Sequence, residues 1–304
     1  MFKMIRVFLI AFVAGLIGAH WFLTPKISVV MPTYNRPAYL AMAIESVLSQ
    51  TYKNFEFIIV DNGSNAPTRH ILKNFARLDS RVRLVFLPQN KGISYARNLG
   101  NDLARGKYIV VMDSDDYSVP FRLEAQLDFM EKNKNVALAT SLKKSMDGRL
   151  YNKIPLQNYE PFLLFGHYLG HPEWIVRTDF IRHHDIRYDE TRLSNVDYDF
   201  IVKVASARGE IGYMNENFLW RRIHKENSPE YYREQKRNAY ETSKDFIRRF
   251  GVPEDVIKRY QSCEILSYVV PVNKTKKYLR QDLLEKAYES CKGKTPVHEE
   301  QKPD

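Results

Sequence analysis

Tyr108-Ile109-Val110-Val111-Met112-Asp113-Ser114-Asp115-Asp116 runs from five apolar residues straight into a cluster of three carboxylates. A short continuous apolar run that ends in a polar turn reads as a strand buried on both faces, the habit of a parallel sheet. Outward from it the pattern repeats. Lys26–Met31 (KISVVM), Phe55–Val60 (FEFIIV) and Val82–Leu87 predict three earlier strands. Between them, Ala38–Gln50 carries Leu40, Ile44, Val47 and Leu48 at helical spacing, Pro67–Leu78 opens with a proline, and Ile93–Ala104 fills the third interval. Strands alternating with helices of this length predict an α/β fold: a doubly wound, Rossmann-like, mostly parallel sheet with helices on both faces. Ligands of such sheets bind beyond the carboxyl ends of the strands. The loops after Met31, Val60, Leu87 and Met112 are therefore where function is expected.

Past the carboxylates, Phe121–Lys132 predicts a helix, Val136–Thr140 a strand and Met146–Arg149 a turn. The stretch from Tyr151 to Asp189 is aromatic-rich and irregular, as binding segments are, and Asn195–Arg208 regains helical spacing through Val196, Phe200, Val204 and Ala207. Three further helices are expected, at about 230–250, 254–269 and 276–291. This divides the chain into an apolar segment 1–25, an α/β domain 26–229, a helical extension 230–292 and a polar tail 293–304 that reads as disordered.

The 304 residues include 46 Lys and Arg against 36 Asp and Glu, a net charge of +10, which suits a polyanionic partner. With 44% hydrophobic residues the chain can bury a core, and a single long apolar stretch excludes a polytopic membrane protein. Cys263 and Cys291 have no metal-ligand spacing. His167 and His171 lie four apart, but no third ligand accompanies them and Gly166, Gly170 and Pro172 oppose a regular helix, so no zinc site is expected. Val7–Ala19 is uninterrupted by polar side chains, follows Lys3 and Arg6, and leads to Trp21. A membrane anchor is the favoured reading of this stretch; a cleaved signal peptide and an amphipathic or buried helix stay open.

Crowded carboxylates repel one another unless a cation or donor groups compensate. Asp113 and Asp115 at a strand exit can turn toward the ligand crevice, where a hard divalent cation would bind one or two of them together with substrate phosphates. Alone, D-x-D is weak. Three upstream loops strengthen it: Pro32-Thr33-Tyr34-Asn35-Arg36, Asp61-Asn62-Gly63-Ser64, and Asn90-Lys91-Gly92-Ile93-Ser94-Tyr95-Ala96-Arg97-Asn98.

Taken together, in this order and spacing, these strings resemble the family 2, GT-A-fold nucleotide-sugar glycosyltransferases over about residues 26 to 230. The resemblance implies that Pro32, Thr33 and Asn35 line the nucleotide pocket and that Asp61 reads the nucleobase. It implies that Arg97 approaches the base and diphosphate, and that Asp113, Ser114 and Asp115 meet the ribose and a diphosphate bound to manganese or magnesium, with Asp115 the main ligand. Ser194-Asn195-Val196-Asp197-Tyr198-Asp199 is similar to the family's E-D-Y-D segment, which assigns the general base to Asp197, although Val196 replaces an acidic residue. Asp199 is read as supporting. Arg222-Ile223-His224, with Asn227 and Ser228, is similar to a further family string and makes Arg222 a phosphate contact and His224 a diphosphate or metal contact. His171-Pro172-Glu173-Trp174 resembles the acceptor side of the cleft, where Trp174 would stack on a sugar or pack in the core, and Glu173 would bond a hydroxyl.

The expected activity is inverting, metal-dependent transfer of a sugar, with a UDP-sugar as donor, to a hydroxyl of a glycan, glycolipid or glycoprotein, as in surface polysaccharide or lipopolysaccharide-type oligosaccharide synthesis. Membrane association through the N-terminal segment is expected, with the catalytic domain on the side supplied with nucleotide sugars. Two alternatives remain at this point. A nucleotidyltransferase normally needs a glycine-rich basic loop after the first strand, which PTYNRP is not. A non-catalytic glycan or nucleic-acid binder would suit the basic charge, but the basic residues follow no nucleic-acid-binding pattern and no nucleic-acid partner is expected.

Overall fold

The computed structural model describes residues 24–148, 170–192 and 194–222, together with Arg237 and Thr242. The N-terminal apolar stretch, His167, His224, both cysteines, the tail 293–304 and the extension 230–292 apart from those two residues lie outside the described residues.

The elements follow in the order β1 (Ile27–Thr33), α1 (Pro37–Leu48), β2 (Phe55–Asp61), α2 (Ala66–Leu78), β3 (Val82–Phe86), α3 (Ile93–Leu103), β4 (Tyr108–Val111), β5 (Tyr117–Ser118), α4 (Arg122–Lys132), β6 (Val136–Ser145), β7 (Ile175–Arg177), α5 (Thr178–His183), α6 (Val196–Ser206) and β8 (Glu210–Arg221). They build one eight-stranded sheet in the order β3-β2-β1-β4-β7-β6-β8-β5. The first four strands are parallel. β7 runs antiparallel to both β4 and β6, β8 is parallel to β6, and β5 is antiparallel to β8. The fold is α/β with helices on both faces, as the sequence predicts, and the expected elements from β1 to α4 differ from the observed ones by no more than two residues at an end.

Alternation along each strand sends side chains to two cores. Val30, Ile58, Val60, Ile109 and Val111 face one layer, where Ala96 of α3 and Tyr198, Phe200 and Ile201 of α6 cover them. Val29, Met31, Phe57, Ile59 and Val110 face the other, under Leu40 and Ile44 of α1, Leu72 of α2 and Leu123 of α4. The cores stack nonpolar surface on both sides of one sheet, at roughly 25 cal/mol per Å² removed from water.

Two expectations about the second half of the chain are corrected. The segment read as irregular up to Asp189 holds β7 and α5, and β7 is too short for its periodicity to show. β6 continues beyond Thr140 to Ser145 because β8 pairs with it through several register shifts; the polar residues from Lys143 onward hide a strand whose partner supplies the order.

At the amino ends of the parallel strands, buried Glu56 ties four segments together. It accepts from Ser28 Oγ at 2.7 Å, from Arg105 N at 2.7 Å and Arg105 Nε at 3.0 Å, and from Arg83 Nη1. Burial alone would raise its carboxyl, but the Ser28, Arg105 and Arg83 donors outweigh that and hold it below the ordinary glutamate value. The opposite end is left to the site. β6 and β4 both oppose β7, so β8, parallel to β6, shares the direction of β4 and brings its carboxyl end to the same edge.

Candidate active site

Four loops of the parallel half lie beyond the carboxyl ends of β1, β2, β3 and β4, and the first three are tied together. Thr33 closes β1 with its carbonyl accepting from Asn62 N at 2.9 Å, and Pro32 sits one position earlier, paired with Val60. Asn35 takes a left-handed φ of 51°, a conformation that asparagine tolerates better than most residues. Its Oδ1 accepts from Asn65 N at 2.8 Å, and its own N–H donates to Ser64 Oγ at 3.0 Å. Asn35 thus bolts the first loop to the second. Gly63, at φ 82°, lets the second loop pass against the third: a Cβ there would run into the backbone of Gln89 and Asn90. Asn62 completes the union, donating to Asn90 Oδ1 at 2.9 Å and accepting from Lys91 N at 2.9 Å.

Asp61, the last residue of β2, is buried. Its Oδ2 accepts from Arg69 Nε at 2.7 Å and its Oδ1 from Ser64 N at 3.1 Å. Each carboxylate oxygen retains a second lone pair. The family resemblance placed Asp61 at the nucleobase and did not reveal that Arg69, one turn into α2, neutralises it.

The carboxylates after β4 divide into two kinds. Asp113 is 26% exposed and accepts from Arg97 Nη2 at 3.3 Å; Asp115 is 14% exposed and lies 3.6 Å from Arg36 Nη1. Ser114, between them, is buried. Asp116 points inward, accepting from Arg222 N at 2.8 Å with Arg221 Nε 3.9 Å from its other oxygen. Burial, then the charge of Asp113, pushes the Asp116 carboxyl well above the usual carboxylate range, against the pull of Arg221. Arg97 lies over the ring of Tyr188 at 5.5 Å, and Arg222 lies over Tyr39 at 4.0 Å while its Nε donates to the Asp115 carbonyl at 3.3 Å.

Beneath this loop lies an arginine that the sequence reading missed. Arg122 is fully buried on α4 and donates to the carbonyls of Val111 at 2.7 Å and Pro172 at 2.6 Å. Burial lowers its guanidinium to about 10, with the charges of Glu173, Asp116 and Asp113 acting the other way. Its signal was available: Arg122, Leu123, Gln126 and Met130 are the buried residues of α4, so two polar side chains share the inner face.

Asp197 sits half-buried in the first turn of α6, after Asn195 at a left-handed φ of 53°. Its Oδ1 accepts from Tyr198 N at 2.9 Å. Although α6 is far along the chain from β4, Asp197 and the acidic loop act on one group. Arg221, at the end of β8, would be lowered by burial, but Glu173, Asp116, Asp113 and Asp197 together raise it. Contacts run from Asp113 through Arg97 and Tyr188 to Phe200, on the helix that carries Asp197. Asp199 faces Lys203 Nζ at 2.7 Å and Arg192 at 3.8 Å, which makes it a structural partner within the helix.

The acceptor-side reading of residues 171–174 is corrected. Trp174 is fully buried, with its ring 4.7 Å from His171 and 5.9 Å from Phe200, so it packs the core and offers no face to a sugar. Glu173 is equally buried and serves as an internal counter-charge to Arg122 and Arg221. His171 is buried, with Nε2 2.8 Å from Tyr188 Oη, and packs in the interior.

Among the described residues no group of three or more His, Cys, Asp or Glu side chains could cage a metal ion. The donor set of Asp113 and Asp115 fits a hard cation that completes its shell with diphosphate oxygens and water. His224, expected to be a diphosphate or metal contact, lies outside the described residues.

Comparison with known proteins agrees with this geometry. The glycosyl transferase family 2 model matches residues 28–184, which takes in all four loops of the crevice. An uncharacterised glycosyltransferase of Methanocaldococcus jannaschii is 33% identical over 230 residues, 72% of this chain and 79% of that protein. One from Haemophilus influenzae is 45% identical over 109 residues, 36% of this chain and 44% of that protein. Among solved structures, TarS of S. aureus in complex with UDP-GlcNAc superposes with a TM-score of 0.62 at 20% identity, covering 80% of this chain and 73% of that one. A mannosyltransferase from Pyrobaculum calidifontis in complex with GDP-Man and Mn2+ gives 0.57 at 13% identity, covering 88% and 74%. These two likenesses establish the fold, and the sequence matches establish the kinship: the chain belongs to glycosyl transferase family 2 and is a glycosyltransferase.

Proposed function

We propose that the protein transfers a sugar from a nucleoside diphosphate donor, a UDP-sugar, to an acceptor hydroxyl with inversion at the anomeric carbon. The observation that carries this reading is the chain of contacts from the acidic loop to the helix of Asp197, because a donor site and a base must meet in one crevice: Arg97 holds Asp113 and lies over Tyr188, which stacks on Phe200 of α6 at 4.4 Å. Nucleotide sugars are bound by the similar structures, UDP-GlcNAc in one and GDP-Man in the other.

In this reading Pro32, Thr33, Asn35 and Asp61 hold the nucleoside, and Arg97, Asp113 and Ser114 hold the ribose and diphosphate. Asp115 and Asp113, with His224, are the residues that would hold a manganese or magnesium ion, which when bound supplies a Lewis acid for the charge gathering on the diphosphate. Asp197 accepts the proton of the acceptor hydroxyl as that oxygen attacks the anomeric carbon; the bond to the diphosphate breaks, and the nucleoside diphosphate departs on the opposite side. A single in-line displacement needs no covalent intermediate on the protein. Arg97 and Arg222 place fixed positive charge where the leaving group becomes more negative, which is the form of electrostatic stabilisation that costs no reorganisation at the moment of reaction.

The acceptor proposed is a glycan, glycolipid or glycoprotein of a cell surface, with the apolar Val7–Ala19 segment and its basic flank holding the enzyme at a membrane. Among the described residues no helix is long and apolar enough to cross a membrane. A panel of nucleotide sugars assayed for manganese-dependent release of nucleoside diphosphate tests the reading. Release from one or more of them supports it, and a panel with no release at any manganese concentration refutes it.

A further inference from the structure

Four arginines surround the acidic loop, and three of them are held. Arg97 is 12% exposed and bound to Asp113. Arg222 is stacked on Tyr39 and bonded to the Asp115 carbonyl. Arg221 is largely withdrawn from solvent and faces Asp116. Arg36 differs from all three. Its side chain is 42% exposed, and its contact with Asp115 is a long one of 3.6 Å. It occupies the N-cap position of α1 without capping the helix through its side chain. Its backbone, by contrast, is fixed, because the preceding Asn35 is bonded in both directions to the second loop.

A fixed base carrying a loosely held cation is suited to exchange. We infer that Arg36 is a transferable counter-ion: it neutralises Asp115 in the free protein and passes to the donor's diphosphate when a divalent cation takes Asp115. The inference rests on the reading of this crevice as the donor site. A divalent cation on Asp115 cancels the negative charge that holds Arg36 there and repels the guanidinium. A cation arriving alone must turn Arg36 out into water, whereas a cation arriving with a diphosphate gives Arg36 a new anionic partner. Arg36 thereby makes cation and nucleotide binding depend on each other, a coupling that is reciprocal by thermodynamic necessity. It also offsets the repulsion between Asp113 and Asp115 when no ligand is present, as Arg97 does at Asp113.

The experiment measures free Mn2+ by electron paramagnetic resonance over the full-length chain at low ionic strength, with and without UDP, and UDP binding by calorimetry with Mn2+ present. Arg36→Ala should bind Mn2+ alone about two- to fivefold more tightly than wild type, the range expected for releasing one exposed ion pair. It should bind UDP with Mn2+ about tenfold more weakly, as for loss of a hydrogen bond to a charged group. Arg36→Lys should restore the wild-type Mn2+ affinity, since it restores the charge. The advantage of Arg36→Ala in Mn2+ alone should shrink in 1 M salt, where the Debye length falls to about 3 Å. The exposure of Arg36 keeps the variants folded, which an unchanged thermal midpoint verifies. Wild-type protein that binds Mn2+ and UDP while Arg36→Ala binds each with unchanged affinity overturns this proposal alone. Wild-type protein that takes up neither UDP nor GDP with manganese overturns the donor-site reading, and the proposal with it.

Discussion

Asn98 and Tyr188 grip each other reciprocally: Asn98 Oδ1 accepts from Tyr188 N at 2.9 Å, and Asn98 Nδ2 donates to Tyr188 O at 2.9 Å. The same amide nitrogen reaches Glu190 at 2.8 Å. One buried side chain on α3 therefore completes the backbone of the segment that leads into Asp197, as a neighbouring strand would. Asn98→Ala leaves a buried N–H and C=O unpaired and should lower stability by about 1–3 kcal/mol for each orphaned group. Because the loosened segment carries the proposed base, turnover should fall more than donor affinity. Urea denaturation and separate measurement of kcat and donor Kd check both parts.

Asp115→Ala and Asp113→Ala should each reduce manganese-dependent binding of UDP, with the larger loss at Asp115. Calorimetry at fixed UDP and varied Mn2+ reads the difference. Manganese-dependent binding that survives intact in Asp115→Ala would remove that residue from the metal role.

Asp197→Asn keeps size and loses the proton acceptor. Donor affinity should stay within about twofold, and transfer should drop by about 100–10,000-fold, the range of a positioned base. Full transfer by this variant excludes Asp197 as the base.

Trp174→Ala should cost about 3–5 kcal/mol, as for other large core truncations, measured by urea unfolding. A variant that unfolds at the wild-type midpoint and loses only acceptor binding would instead reinstate the sugar-stacking role.

Glu56 gives a dependence on pH. Its folded carboxyl lies below the ordinary 4.5 because, although burial is the largest influence and raises it, the Ser28, Arg105 and Arg83 donors together prevail. A depressed carboxylate contributes stability in full above its unfolded value and loses it as pH falls through the folded one. Thermal midpoints should therefore drop on acidification below about pH 4.5, and Glu56→Gln, less stable at neutral pH, should show a shallower drop. Equal slopes for the two proteins would show that Glu56 titrates alike folded and unfolded.

The parallel half of the sheet was legible because each of β1, β2 and β4 is buried on both faces and writes an unbroken apolar run. The crevice was legible because turn residues and carboxylates follow those runs directly. β5 and β7 escaped since two and three residues show no period. Trp174 and Glu173 illustrate a different limit: their string matched a family segment, but a string does not reveal whether a side chain turns toward the cleft or the core. Arg36, Arg122 and Arg221 were passed over because their meaning is pairwise, and the partners Asp115, Glu173 and Asp116 stand many residues away.

The reversal of direction at β7 has a consequence for how such a molecule can change. Neighbours of opposite direction need no crossover helix of set length, so the peptide joining Ser145 to Ile175 is released from the architectural rule that governs the links among β1 to β4. Doubling a flexible link costs only about 0.6 kcal/mol in closure entropy. Insertions and deletions there can accumulate at little thermodynamic expense, and the described end of the link, Ile175, pairs with Val110 three residues before Asp113. The parallel side of the crevice is thus constrained in link length by its crossovers, while the side beyond β7 is free of that constraint.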